Sequence, residues 1–283
     1  MMFLNKKNKL KKEPKKINHS SQCLKYKKMF LSGLCEVDDG FYSKMYDISI
    51  NKFEEICEDI LNNKYDFITT FYFSKNKIKM VLILADDYID QAKKKFLEIE
   101  TKFNLEALTG NERLIYMNQI INNNQEQLEK IDISKLSKNL TSKSLINVYE
   151  ISDQKALDYV KINDSYCKIG FFKTGYFSFK EAMKFINEND KCIFSISISQ
   201  FDKNENYLNL QIMTWIKSNS IEKLNEMNKK FKNTMLDNKC EISTCYGRQH
   251  EIFNHFLATG YIVNELYKCI EKNKFYKYTT GGV

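Results

Sequence analysis

Hydrophobic and polar positions along the chain repeat one arrangement twice. In the clearer copy, Tyr65 to Phe103, two apolar β-branched and aromatic runs, Phe67–Phe73 and Ile78–Ala85, flank the polar tetrad Ser74–Lys77. That pattern predicts a hairpin with a short connection. A helix is expected next, because Ile89, Lys93, Phe96, Ile99 and Phe103 recur at spacings of three and four, with Asp87 placed to cap it. The second copy, Lys191–Cys240, predicts strands at Ile193–Phe201 and Tyr207–Lys217. Its helix begins after Ser220 and carries Ile221, Leu224, Met227, Phe231 and Met235 on one side.

Each unit is preceded by a partner. Leu34–Ile50 reads as a hairpin turning at Asp38–Gly40, followed by a helix capped by Asn51 with Glu54 three residues on. Asp158–Tyr176 reads as a hairpin turning at Asn163–Asp164, with Ser178 and Glu181 opening the next helix. Both halves therefore read hairpin, helix, hairpin, helix. A hairpin cannot bury its own apolar face, so each half is expected to form a sheet of about four strands with both helices on one face. The fold class is α+β, as two repeated antiparallel-sheet units with helices packed on one face, ferredoxin-like in character. Duplication accounts for the repeat; the general similarity of α+β units is the other explanation.

The division expected is a basic flexible tail at 1–28, a first repeat at 29–107, a helical linker at 108–151, and a second repeat with a C-terminal helix at 152–283. Within the linker, Thr109-Gly110-Asn111-Glu112 is a capping box opening a helix through Leu114, Met117 and Ile121.

Charge changes the picture only at the N-terminus. The net charge is +8, yet residues 1–28 hold ten lysines and one glutamate, leaving the body near neutrality. A basic nucleic-acid surface on the body is therefore not expected. The tail reads as a disordered solubilising segment, as an anchor for an anionic membrane surface through Lys6, Lys7, Lys9, Lys11, Lys12, Lys15 and Lys16, or as a nonspecific nucleic-acid contact. No apolar run is long enough to span a bilayer, and the N-terminus turns lysine-rich too soon for a secretory signal, so a cytoplasmic location is the expectation.

Candidate chemistry is sparse. The eight cysteines include no C-x-x-C pair and read as small buried hydrophobes. His19, His250 and His255 lack zinc-ligand spacing, and Asp38-Asp39 and Asp86-Asp87 read as turn and cap residues. No G-x-S-x-G elbow and no G-x-x-x-x-G-K-S/T phosphate loop occurs. Arg248, Gln249 and His250 form the densest polar cluster, a helix entry or a partner contact. The chain is read as having no cofactor, no metal and no catalytic constellation.

Several short segments resemble the N-terminal region of VirB4-like conjugation ATPases of Gram-positive mobile elements. They are Gly33–Ile50 with Gly40-Phe41-Tyr42-Ser43-Lys44; Leu108 to Leu114; Asp158–Gly175; Leu208–Trp215; and Gly247-Arg248-Gln249 before Leu257-Ala258-Thr259-Gly260. The resemblance covers about residues 30 to 265, and Asp202–Asn206 stands where the family has a longer helical passage. It implies an α+β module serving assembly of a type IV secretion machine near the membrane, without the RecA-like motor. The partners implied are secretion proteins or a full-length VirB4-like ATPase. A nucleic-acid-associated accessory protein of a mobile element, or an enzyme of unrecognised type, is the alternative.

Overall fold

The computed structural model describes residues 25–121, 151–152, 158–200 and 206–276, without the side chains of residues 151, 152, 250 and 251. The seven tail lysines assigned to membrane contact lie outside the described residues. In chain order the strands and helices are β1 (Lys28–Met29), β2 (Cys35–Asp38), β3 (Phe41–Ile48), α1 (Ile50–Asn62), β4 (Phe67–Ser74), β5 (Lys77–Ala85), α2 (Ile89–Phe103) and α3 (Gly110–Ile121). There follow β6 (Ile151–Ser152), β7 (Val160–Ile162), β8 (Ser165–Thr174), α4 (Phe179–Glu188), β9 (Cys192–Ser199), β10 (Tyr207–Ser218), α5 (Ile221–Asp237), β11 (Glu241–Thr244), α6 (Gln249–Phe256) and β12 (Lys268–Glu271).

The fold is α+β, and its strands form one sheet in which every described pairing is antiparallel. The spatial order β2-β3-β5-β4 of the first half is repeated as β7-β8-β10-β9 in the second, and the halves meet through β4 and β9. The two sheets expected from the sequence are therefore continuous. Two edge strands rich in apolar residues, β4 and β9, satisfy each other's backbone groups.

Strand alternation divides the core between two faces. Phe67, Phe71, Phe73, Met80, Leu82, Phe194, Ile196 and Ile212 point to the first face, covered by α1, α2, α4 and α5. Phe53, Ile56, Cys57 and Ile60 make the buried stripe of α1, as Leu224, Phe231 and Met235 do in α5. Ile68, Tyr72, Val81, Ile83, Ile193, Met213 and Trp215 point to the other face, where α3 and α6 cover them. The expectation of helices on one face thus holds for four of the helices and fails for α3 and α6. Burial on both sides leaves strands such as β9 with no exposed residue.

Two caps differ from expectation. Ser49, not Asn51, caps α1, its hydroxyl accepting from Lys52 N at 3.2 Å. Tyr88 is the N-cap of α2 without a side-chain bond; the Asp86 carboxylate accepts from Tyr88 N at 3.1 Å, one residue before the expected Asp87. The capping box at α3 forms as predicted: Thr109 N donates to Glu112 Oε2 at 2.8 Å and Glu112 N donates to Thr109 Oγ1 at 3.3 Å.

The third helices also correspond. Ala107 makes a single antiparallel bridge to Tyr46 of β3 just before α3, and β11 pairs with β8 just before α6. The segment expected as a linker therefore supplies α3, a packed layer of the sheet, in the position α6 holds in the other half. Among the described residues no helix is long and apolar enough to cross a membrane.

Candidate functional site

Segments far apart in sequence meet at two buried polar junctions on the face covered by α3 and α6. At the first, the capping box starts α3 so that Arg113 falls on the stripe of Leu114, Met117 and Ile121, facing the sheet. Arg113 is 1% exposed. Its Nη1 donates to Gly33 O at 2.6 Å and Ser43 O at 2.9 Å; its Nη2 donates to Ser43 Oγ at 3.0 Å and Ala258 O at 2.7 Å. Ser43 Oγ in turn donates to Thr259 O.

All of these acceptors are neutral, so the guanidinium is stabilised by hydrogen bonds in place of a carboxylate. Burial lowers its pKa, but an arginine starts so high that the group stays charged. Close backbone approach explains two glycines. Gly260 has φ +102°, and a Cβ there would stand 2.9 Å from Ser43 Cβ and from Val37 Cγ2; at Gly33, with φ +81°, a Cβ would stand 1.8 Å from Leu108 O.

At the second junction Gln249 opens α6 and is 3% exposed. Its Oε1 accepts from Ile169 N at 2.8 Å and its Nε2 donates to Asp158 O. The Asp158 carboxylate pairs with Lys168 Nζ at 2.5 Å, which also donates to Asn225 Oδ1 at 2.7 Å. The sequence-predicted cluster is thereby split: Gln249 is consumed inside the chain, Arg248 lies half-exposed 3.5 Å from Glu265, and the His250 side chain falls outside the described set.

Between the junctions each half reaches into the other. Lys217 of β10 is buried and donates to Ile120 O and Ile121 O, both at 2.8 Å, at the C-terminus of α3. A cation is favoured at that end of a helix, while burial pushes its pKa down to about 8. From the other direction, Tyr72 OH of β4 donates to His255 O of α6 at 2.7 Å. His255 Nε2 lies 2.8 Å from Ser195 Oγ, and Thr70 Oγ1 lies 2.9 Å from Ser197 Oγ.

Burial lowers the His255 pKa to about 4, outweighing an opposing pull from the Tyr261 backbone. Ser195 and His255 have the contact of a nucleophile and base, but at 0% and 1% exposure neither presents an atom to a substrate. Among the described residues no group of three or more His, Cys, Asp and Glu gathers as metal ligands. A polar cleft of about 780 Å³ opens elsewhere, between Leu61–Lys64 and Glu271–Asn273, and contains none of the junction residues.

Comparison with protein-family models and with curated proteins gives no match. The sequence reading missed the roles of Arg113, Lys217 and the Ser195–His255 pair. A usable signal existed for the first two: a cation on the apolar stripe of a helix, and one on the same strand face as Met213 and Trp215.

Proposed function

We propose that this chain is a non-catalytic component of a conjugative or type IV secretion assembly, acting through protein contacts at the inner face of the membrane. It would be a relative of the VirB4-like N-terminal region, built from two ferredoxin-like units. The observation that carries this reading is the convergence of the resembling segments. Gly33, Ser43, Arg113, Ala258, Thr259 and Gly260 come from three of them and meet around one guanidinium, while Asp158, Ile169 and Gln249 come from two and meet at the other junction. Residues that similar chains share for a common fold are expected where distant segments touch.

The repeated strand order supports the duplicated-unit reading. The absence of a phosphate-binding loop from the sequence supports a role without ATP turnover. The test is co-expression with a full-length VirB4-like ATPase from the same cells, followed by affinity purification from membranes. Stoichiometric recovery of the ATPase or its membrane partners is expected. Recovery of neither, or saturable magnesium-dependent ATP binding by the purified chain, would overturn the proposal.

A further inference from the structure

The joint between β4 and β9 has the register of a twofold dimer. Counted back equally from the N-caps Tyr88 and Ser220, Leu84 of β5 and Ile216 of β10 are equivalent. Phe67 pairs with Leu84 as Cys192 pairs with Ile216, and further along Phe71 pairs with Met80 as Ile196 pairs with Ile212. Phe71 and Ile196 are thus counterparts, as are Thr70 with Ser195 and Tyr72 with Ser197. At the joint, Phe71 pairs with Ile196, its own counterpart; Thr70 pairs with Ser197 and Tyr72 with Ser195. Each residue meets the counterpart of the residue that meets its own counterpart, which is the rule for an isologous interface. A slip of one residue would keep this pairing rule but set first-face side chains of one half opposite other-face side chains of the other, so the register in place is one that keeps the helices of both halves on the same side.

The layer above the joint is anchored at equivalent positions in the two halves. Ser43 pairs with Ile83 and Ile169 with Trp215, so Ser43 and Ile169 are equivalent, and these are the positions gripped by Arg113 of α3 and Gln249 of α6. Each helix then crosses to the opposite half. α3 ends on Lys217, while α6 passes Tyr72 and its continuation reaches Ser43 and Arg113.

We infer that the β4–β9 joint is a dimer interface carried within one chain, and that the partner class fitting either edge is a second copy of the half-unit. The inference rests on the duplicated-unit reading. It specifies that a first half can pair with another first half through β4, with Phe71 opposite Phe71 and Thr70 opposite Tyr72.

The test starts from the full chain with a specific protease site placed within residues 122–150. Unlabelled and heavy-isotope forms are cut under native conditions, mixed, exposed briefly to urea and diluted, and the species are counted by native mass spectrometry. Mixed-label pairs of first and second halves are expected, together with first-half pairs and second-half pairs at several per cent of the total. Phe71→Asp should reduce first-half pairs at least tenfold. Pairs of unlike halves alone, whether or not labels exchange, would overturn the inference. The duplicated-unit reading fails separately, if a crystal structure orders the strands differently in the two halves.

Discussion

Replacing Arg113 by Met retains a long side chain but removes every donor at the first junction. Gly33 O, Ser43 O, Ser43 Oγ and Ala258 O then lose a partner in a site closed to water. An unsatisfied buried group costs about 1–3 kcal/mol, and hydrogen bonds to a charged donor contribute about 1.5–3 kcal/mol each. Removal of the buried charge offsets part of this, because a desolvated guanidinium costs several kcal/mol on its own. Ser43 Oγ keeps its bond to Thr259 O. The net loss expected is about 3 kcal/mol, a large fraction of the roughly 5–15 kcal/mol available to a domain. With a urea m-value of about 3 kcal/mol/M, the midpoint should fall by about 1 M. Arg113→Lys should recover little, since one ammonium cannot span acceptors arranged for a fork. Hydrogen exchange gives the local readout: amides of residues 257–260 should lose protection before those of β4 and β9. A midpoint shift below about 0.3 M in both variants would refute the argument that this guanidinium joins the halves.

His255 sets a pH dependence: its folded pKa of about 4 lies below the ordinary 6.5, so its contribution is present above pH 6.5 and lost as pH falls toward 4, on the order of 3 kcal/mol in all. Urea midpoints across that window should show the slope, and His255→Asn should flatten it. Gln249→Ala should lower stability by about 1–3 kcal/mol by stranding Ile169 N–H and Asp158 C=O, whereas a residue serving only an external partner would leave the melting temperature unchanged. Gly260→Ala should destabilise by about 2 kcal/mol or more, read as a fall in melting temperature, because its φ of +102° and its contact with Ser43 leave no place for a methyl group.

The long strands and the four outer helices were legible, β4 and β5 as apolar, β-branched and aromatic runs around a polar turn, α1 and α5 through the period near 3.6 that one buried face imposes. The caps at Asn51 and Asp87 were misplaced by one or two residues because neighbouring Ser49 and Asp86 compete with equal chemistry. Fusion of the sheets was not legible. β4 and β9 are apolar and β-branched, but nothing local names the partner of a strand. Arg248, Gln249 and His250 read as a helix entry or a partner contact; the helix does start there, but composition alone cannot distinguish an amide facing a partner from one gripping the backbone of β8. The Ser195–Ser197–Ser199 alternation was part of the strand pattern, yet its use came only with Thr70, Tyr72 and His255, all distant in sequence.

The joining of β4 to β9 also sets a hazard during synthesis. β4 can pair with β5 as soon as its hairpin leaves the ribosome, but its other edge waits for β9, whose residues lie more than a hundred positions later. At roughly 5–20 residues per second that delay is on the order of ten seconds. For that time Phe67–Ser74, FITTFYFS, presents a flat row of unpaired amides and carbonyls with no charged side chain to discourage pairing. A strand that is central in the finished protein is an edge in the growing one, and crowded polysomes would bring such edges from neighbouring nascent chains together.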